Sequence, residues 1–203
     1  MLSASHNPMP DNGIKFFARG GHKLADDIED AIEQRIGEEW ERPTGSGVGR
    51  ITHDFRAGDR YVDFLVGTLD TPLDGLRVVV DCANGAAFEV SPRALERAGA
   101  QVTTIHAQPN GWNINDGCGS TYMESLIAAV QDGNADVGIA HDGDADRCLA
   151  VAADGSIIDG DHILAMLAIA KKERQTLAHG TVVSTVMANL GFKIAMQDAG
   201  ITV

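Results

Sequence analysis

Leu76-Arg77-Val78-Val79-Val80-Asp81 is the stretch that most narrows what this chain can fold into. A run so short, apolar and β-branched reads as a strand buried on both faces of a sheet, and such a sheet needs helices on either side. The residues that follow agree. Cys82-Ala83-Asn84-Gly85-Ala86-Ala87 is a loop of small residues, 88–98 has helical spacing, Gly99 stops that helix, and 102–105 reads as the next strand. The segment therefore predicts a βαβ unit. A further helix over 123–131 leads to strands at 137–140 and 149–152, with a turn at Asp154-Gly155.

Between those last two strands lies His141-Asp142-Gly143-Asp144-Ala145-Asp146-Arg147, with carboxylates at every second position and small residues between them. On an extended backbone, side chains at i, i+2 and i+4 project to one side. Three converging acids repel one another unless a hard cation sits among them, and Mg²⁺ suits a site where few carboxylates share the ion with a phosphate oxygen. Arg147 adds a planar fork that matches phosphate. The bland alternative is a solvated acidic turn. A calcium EF-hand does not fit, because Arg147 and Ala153 stand where its loop needs Gly and Glu. Ligand loops at the carboxyl ends of strands are usual in α/β folds.

Composition bounds the function. At 203 residues the chain is long enough for one large domain or more, and its net charge of −13 argues against nucleic acid as a partner. It has neither an apolar run able to span a bilayer nor a basic leader, so it reads as a cytoplasmic protein with no membrane partner. Cys82, Cys118 and Cys148 lack the C-x-x-C spacing of a zinc or redox motif and read as reduced, structural thiols. The ends, Met1-Leu2-Ser3 and Gly200-Ile201-Thr202-Val203, look cut from a longer chain.

The remaining segments are less specific. Ser3-Ala4-Ser5-His6-Asn7-Pro8 combines hydroxyls, an imidazole and a turn-forming pair, either a reactive loop or an ordinary one. A short strand is expected over 14–17, where Lys15 either reaches solvent or is held for chemistry. Helices are expected over 26–36, 60–69, 160–174 and 190–199, a strand over 181–186, and a linker over 41–59. The polar loop 110–121 is long enough to be functional or to line a domain contact.

Taken together, SASHNPMPDNGIKFF, PNGWNINDGCGST and HDGDADR, in that order, resemble the α-D-phosphohexomutase family, and most closely its bacterial phosphoglucosamine mutase branch. The resemblance runs over essentially the whole chain. It implies an α/β protein of three-layer α/β/α domains with mixed sheets, incomplete here: residues 1–50 as the later part of a first domain, 51–175 as a second, and 176–203 as the start of a third. It implies an intramolecular phosphotransferase that works on a small sugar phosphate through a phosphoserine and a bisphosphorylated sugar. Carried onto this sequence, Ser5 is the phosphoserine, not Ser3. Asp142, Asp144, Asp146 and a Ser5 phosphate oxygen hold Mg²⁺, Arg147 stands beside them, and His6 and Lys15 serve proton transfer. Glucosamine 6-phosphate to glucosamine 1-phosphate is the implied reaction. A phosphomannomutase or phosphoglucomutase, or a metal-binding module without turnover of its own, are the alternatives. The family's sugar-specificity pattern, Gly-Glu-x-Ser-Gly, does not occur in these residues, and Tyr122 replaces a histidine common after Cys-Gly-Ser-Thr.

Overall fold

Val78, Val79 and Val80 alternate across the sheet as a period of two demands: Val79 joins an apolar cluster on one face, while Val78 and Val80 join another on the opposite face. All three are buried. The computed structural model describes residues 1–203. In chain order it contains β1 (Leu2–Ser3), β2 (Gly13–Ile14), α1 (Asp26–Arg35), α2 (Ala57–Val66), β3 (Arg77–Asp81), α3 (Ala87–Arg97) and β4 (Gln101–Ile105). It continues with α4 (Glu124–Asp132), β5 (Val137–His141), β6 (Cys148–Ala152), β7 (Ile157–Ile158), α5 (Gly160–Glu173) and α6 (Leu190–Asp198).

The main sheet has the order β4-β3-β5-β6-β7. Strand β3 runs parallel to both β4 and β5, and β5, β6 and β7 are successively antiparallel, so the sheet is mixed. Helix α4 covers one face through Leu126 and Val130, packed with Val79, Ala140 and Val151. On the other face Leu95 of α3 packs with Val78, Val80 and Ala100, and α2 lies against α3. This middle portion is the three-layer α/β/α unit expected from the buried strand. Its consequence for the site is that the loops after β3, β4 and β5 emerge side by side.

Outside the middle unit the regular structure is sparser. Helix α5 packs on α6 in a separate apolar cluster with Val182, Phe192, Met196 and Ile201. An Asp159 capping box starts α5, with the carboxylate accepting from His162 N and the imidazole reaching back to the cap. Helix α1 has acids in its first turn but no buried residue. No helix is long and apolar enough to cross a membrane.

Two expected strands are shorter than expected. Over 14–17 only Ile14 lies in a strand, because β2 pairs solely with the two-residue β1, and Phe17 makes a lone bridge to Lys23. Over 181–186 a single bridge, Thr181 to Thr202, replaces the strand. Val186 is 96 % exposed, with neither a partner ladder nor a core to hold it extended. The helix expected over 60–69 begins at Ala57 and ends at Val66, three residues earlier at each end.

Candidate metal and phosphoryl site

The acidic motif lies on the loop between β5 and β6, as its flanking strands predict, and the backbone there is a turn rather than the extended run on which alternate side chains would share a side. Ala145 N donates to Asp142 O at 3.0 Å and Ala145 has φ +58°, so the chain curls between β5 and β6. The curl still gathers the acids: oxygen atoms of Asp142, Asp144 and Asp146 lie within 4.8 Å of one another. Convergence thus comes from turn geometry, with Asp142 fully buried and Asp146 exposed.

The individual carboxylate oxygens divide the work. Asp142 Oδ1 accepts from Arg147 N at 3.2 Å, and Asp144 Oδ2 accepts from Ser3 Oγ at 2.6 Å and from Lys15 Nζ at 3.2 Å. That leaves Asp142 Oδ2 and Asp144 Oδ1 buried without any hydrogen-bond partner. Buried orphaned carboxylate oxygens are costly unless something positive meets them. Two such atoms, on carboxylates that converge with a third, fit a hard divalent cation with oxygen ligands.

The charges reflect the same division. Burial pushes Asp142 above the ordinary carboxylate value, outweighing the hydrogen bond from Arg147 N. Burial also acts upward on Asp144, but the hydrogen bonds from Ser3 and Lys15 together hold it below that value. Arg147 is half-exposed, its Nε 3.8 Å from Asp142 Oδ2 and 3.9 Å from Asp146 Oδ1, so its fork is not committed to a bidentate pair. His141, first in the motif, turns away from the acids: its Nε2 is 2.9 Å from Ser91 Oγ, and burial depresses its pKa.

The N-terminal hairpin reaches this turn from the far end of the sequence. Pairing of Ser3 with Gly13 and Leu2 with Ile14 sets Lys15 opposite Met1, on the same face as Ser3, and both Ser3 and Lys15 grasp Asp144. Ser3 Oγ also accepts from Ser5 N at 2.9 Å, which ties Ser5 to a member of the acidic cluster through one hydroxyl. Ser5 itself has φ +50°, and its Oγ stands 3.4 Å from His6 Nδ1. Gly143 N donates to Ser5 O at 3.0 Å, and Asn115 Nδ2 donates to Ser5 O at 2.7 Å and to Asn7 O at 2.8 Å. The structure therefore brings the loop of Ser5 and His6, Lys15 and the three acids together, with Arg147 at the margin.

Glycine at 143 is what permits this contact. A Cβ there would stand 2.5 Å from Ser5 O, 2.7 Å from Ile114 Cδ1 and 2.8 Å from Asn115 Nδ2. Gly85 is packed against the Gly143 backbone, and Ala86 N donates to Gly143 O at 2.8 Å. Gly143→Ala is accordingly expected to lower stability by about 1–3 kcal/mol through overpacking and to push the Ser5 loop off the turn. Thermal unfolding reads the first effect; an unchanged midpoint would show that the loops do not meet as described.

Sequence reasoning missed three contributors: Ser3, set aside once Ser5 was chosen, Asn115, and the spacer Gly143. Gly143 left a readable signal, a residue without a side chain between two acids, and Asn115 lay within the long polar loop 110–121 without standing out from its neighbours. A second group, Asp81, His106 and Cys118, also has metal-ligand chemistry within 4.8 Å. Its carboxylate is already satisfied, by Ala83 N at 2.9 Å on one oxygen and by Gly119 N and His106 Nδ1 at 3.0 Å on the other. Burial pushes the Cys82 thiol up to about 12 and the Cys118 thiol up to about 11, with the Asp81 charge adding to both. All three cysteines are free. These features make the Asp81 group a brace for the loops.

Comparison with known proteins gives the class. Models of the phosphoglucomutase/phosphomannomutase alpha/beta/alpha domains I, II and III match residues 1–42, 59–155 and 159–203 in that order. The chain belongs to this family, the α-D-phosphohexomutases. Among curated relatives, the phosphoglucosamine mutase of Streptomyces griseus is 63% identical over 206 residues, covering 99% of this chain and 46% of that protein. The phosphoglucosamine mutase of Thermobifida fusca is 61% identical, covering 100% of this chain and 45% of its own length. The chain thus spans less than half the length of these relatives. Among solved structures, a phosphoglucomutase/phosphomannomutase family protein of Burkholderia thailandensis aligns with a TM-score of 0.68 at 29% identity, over 86% of this chain and 37% of that one. A structure from Thermus thermophilus, titled a putative phosphomannomutase, aligns over 100% of this chain and 47% of its own, with a TM-score of 0.74. At 23% identity the latter speaks to the fold alone.

Proposed function

We propose that this chain carries the phosphoryl-transfer half of a phosphoglucosamine mutase, interconverting glucosamine 6-phosphate and glucosamine 1-phosphate. The observation that carries the reading is the docking of the Ser5 loop on the acidic turn, across more than a hundred residues of sequence, by Ser3, Gly143 and Asn115. Nothing in a solvated acidic turn calls for that convergence. The similarity to phosphoglucosamine mutases at about 60% identity supports the amino-sugar substrate over the mannose or glucose phosphates of the wider family.

Asp142 Oδ2, Asp144 Oδ1 and the Asp146 carboxylate would hold Mg²⁺, with a phosphate oxygen on Ser5 completing the set. When bound, the ion neutralises charge on the transferring phosphoryl group. The chain's own residues do the rest. In the proposed step the bond from phosphorus to Ser5 Oγ breaks and one to the sugar hydroxyl oxygen forms. The sugar hydroxyl gives up a proton and Ser5 Oγ gains one. The bisphosphorylated sugar then turns and returns its other phosphate to Ser5.

His6 Nδ1, 3.4 Å from Ser5 Oγ, is within reach of the atom whose proton must come and go. Lys15 pairs with Asp144, which sets a positive charge beside the acidic turn and next to the Ser5 loop. Arg147, with its fork uncommitted, is placed to take a phosphate of the substrate. For domain organisation we propose three units, with the third beginning near Asp159 rather than at residue 176, since α5 shares its apolar cluster with α6.

The test uses the full-length protein with Mg²⁺. Glucosamine 6-phosphate is expected to yield glucosamine 1-phosphate, and peptide mapping to find phosphate on Ser5. Preferential turnover of mannose or glucose phosphates would move the assignment to the alternative mutases; phosphate mapped elsewhere would remove Ser5 from the mechanism.

A further inference from the structure

We propose that Asn115 is the positioning residue that seats the phosphate-carrying loop on the acidic turn, acting through the Ser5 main chain without touching substrate. The proposal rests on the reading of Ser5 as the phosphoryl carrier.

Both N–H groups of the Asn115 carboxamide are committed, one to Ser5 O and one to Asn7 O, so they clamp the main chain on either side of His6. Two carbonyl oxygens on one side force the orientation of the amide, because its oxygen could not face them. Ser5 O receives a second donor from Gly143 N, which uses both of its lone pairs. Ser5 is thereby held in the left-handed region, an unfavourable setting for a residue with a Cβ, which persists only where the surroundings over-determine it.

Asn115 is itself rigidly mounted. It is 6 % exposed, and its main-chain N donates to Ala83 O at 2.9 Å, directly after β3. Asp81, at the end of β3, accepts from both Ala83 N, in the residue to which Asn115 N is bonded, and Gly119 N, a little beyond Asn115 on its own loop. Asn84 Nδ2 adds a 3.4 Å contact to Asn113 O. The φ of +57° at Asn115 suits asparagine better than most residues. Meanwhile Asn115 Oδ1 is buried with no partner. An orphaned acceptor is a cost that an apolar side chain would avoid, so what this position uses is the amide nitrogen. A loop pinned in this way places Ser5 for in-line transfer, where a displacement of about 1 Å costs on the order of a hundredfold in rate.

The experiment compares Asn115→Asp, Asn115→Gly and Ser5→Ala in the full-length protein with Mg²⁺ and glucosamine 6-phosphate. Asn115→Asp keeps the shape and sets an acceptor against two carbonyls; Asn115→Gly keeps the backbone conformation and removes the latch if the aspartate variant does not fold. Either is expected to lower kcat about a hundredfold with KM changed by less than about threefold. Amide exchange at Gly143, whose N–H rests on Ser5 O, is expected to rise roughly tenfold while Val79 and Val80 exchange as before. A kcat within about threefold of the parent, or exchange that rises equally at Gly143 and in β3, overturns the positioning role. Turnover by Ser5→Ala overturns the underlying reading instead, and an inactive Ser5→Ala beside fully active Asn115 variants overturns the role of Asn115 alone.

Discussion

Ser5→Ala is expected to abolish mutase turnover, lowering kcat by on the order of 10⁴-fold or more, as loss of a covalent-catalysis nucleophile does. The structure makes this a clean substitution. Everything that holds the loop at this residue is main chain: Ser5 N on Ser3 Oγ, and Ser5 O under Gly143 N and Asn115 Nδ2. Alanine keeps those contacts, and its left-handed φ costs no more than it did for serine, which also bears a Cβ. Only Oγ is lost, and with it the atom 3.4 Å from His6 Nδ1. Intact mass should show no phosphorylated form, and the thermal midpoint should stay near that of the parent. An alanine variant that turns over and still carries phosphate would sink the assignment of Ser5.

Asp144→Asn is expected to weaken Mg²⁺ binding by about tenfold or more and to loosen the hairpin as well. The two effects separate because the two oxygens of Asp144 have different partners: Oδ1 is the orphan in the cluster, and Oδ2 holds Ser3 and Lys15. An asparagine can present its one oxygen to only one of these sides, and its amide donors then face the cation or the Ser3 hydroxyl and Lys15 ammonium. Asp146 has no such second duty, so Asp146→Asn should weaken the ion without loosening the hairpin. Calorimetric titration reads the affinity and thermal unfolding without Mg²⁺ reads the hairpin. Equal behaviour of the two variants in both assays would refute the division of labour.

Asp142 makes one contribution to the pH dependence, opposite in sign to those of Asp144, whose carboxyl is held below the ordinary value, and of buried His141, whose pKa is depressed. The folded pKa of Asp142 is raised by burial, so the folded chain holds a proton that the unfolded chain has released. The sign for this group is therefore a loss of metal-free stability as pH rises from the unfolded value of 3.8 through the raised folded value. A cation reverses it by favouring the ionised form. Mg²⁺ at a hundred times its dissociation constant should add about 2.7 kcal/mol to stability, an addition that fades as pH falls into that window and that Asp144→Asn should reduce.

How much of this was legible beforehand differs from element to element. The β3 run, the Gly99 stop and the flanking apolar periods were enough to place the middle α/β/α unit, because a strand buried on both faces leaves few options. The 181–186 segment misled for the opposite reason: its β-branched residues have strand propensity, but propensity yields to the lack of a neighbouring ladder. The acids were legible for their chemistry and for their place on a loop between two strands, but not the way their side chains come together. A turn with a left-handed Ala145 gathers carboxylates as well as a strand does, and alternation alone does not distinguish the two.

The sequence by itself determined the chemistry available: three carboxylates around small spacers, a serine beside a histidine, and a resemblance that ties them to phosphoryl transfer. Those are properties of residue type and local spacing, which a linear reading carries in full. Folding alone settled which oxygen of Asp142 and of Asp144 is left for a cation, that Ser3 bridges Ser5 to Asp144, and that Asn115 grips the Ser5 backbone. Those outcomes depend on which loops the sheet order brings side by side, and on how closely Gly85 and Gly143 let their backbones approach.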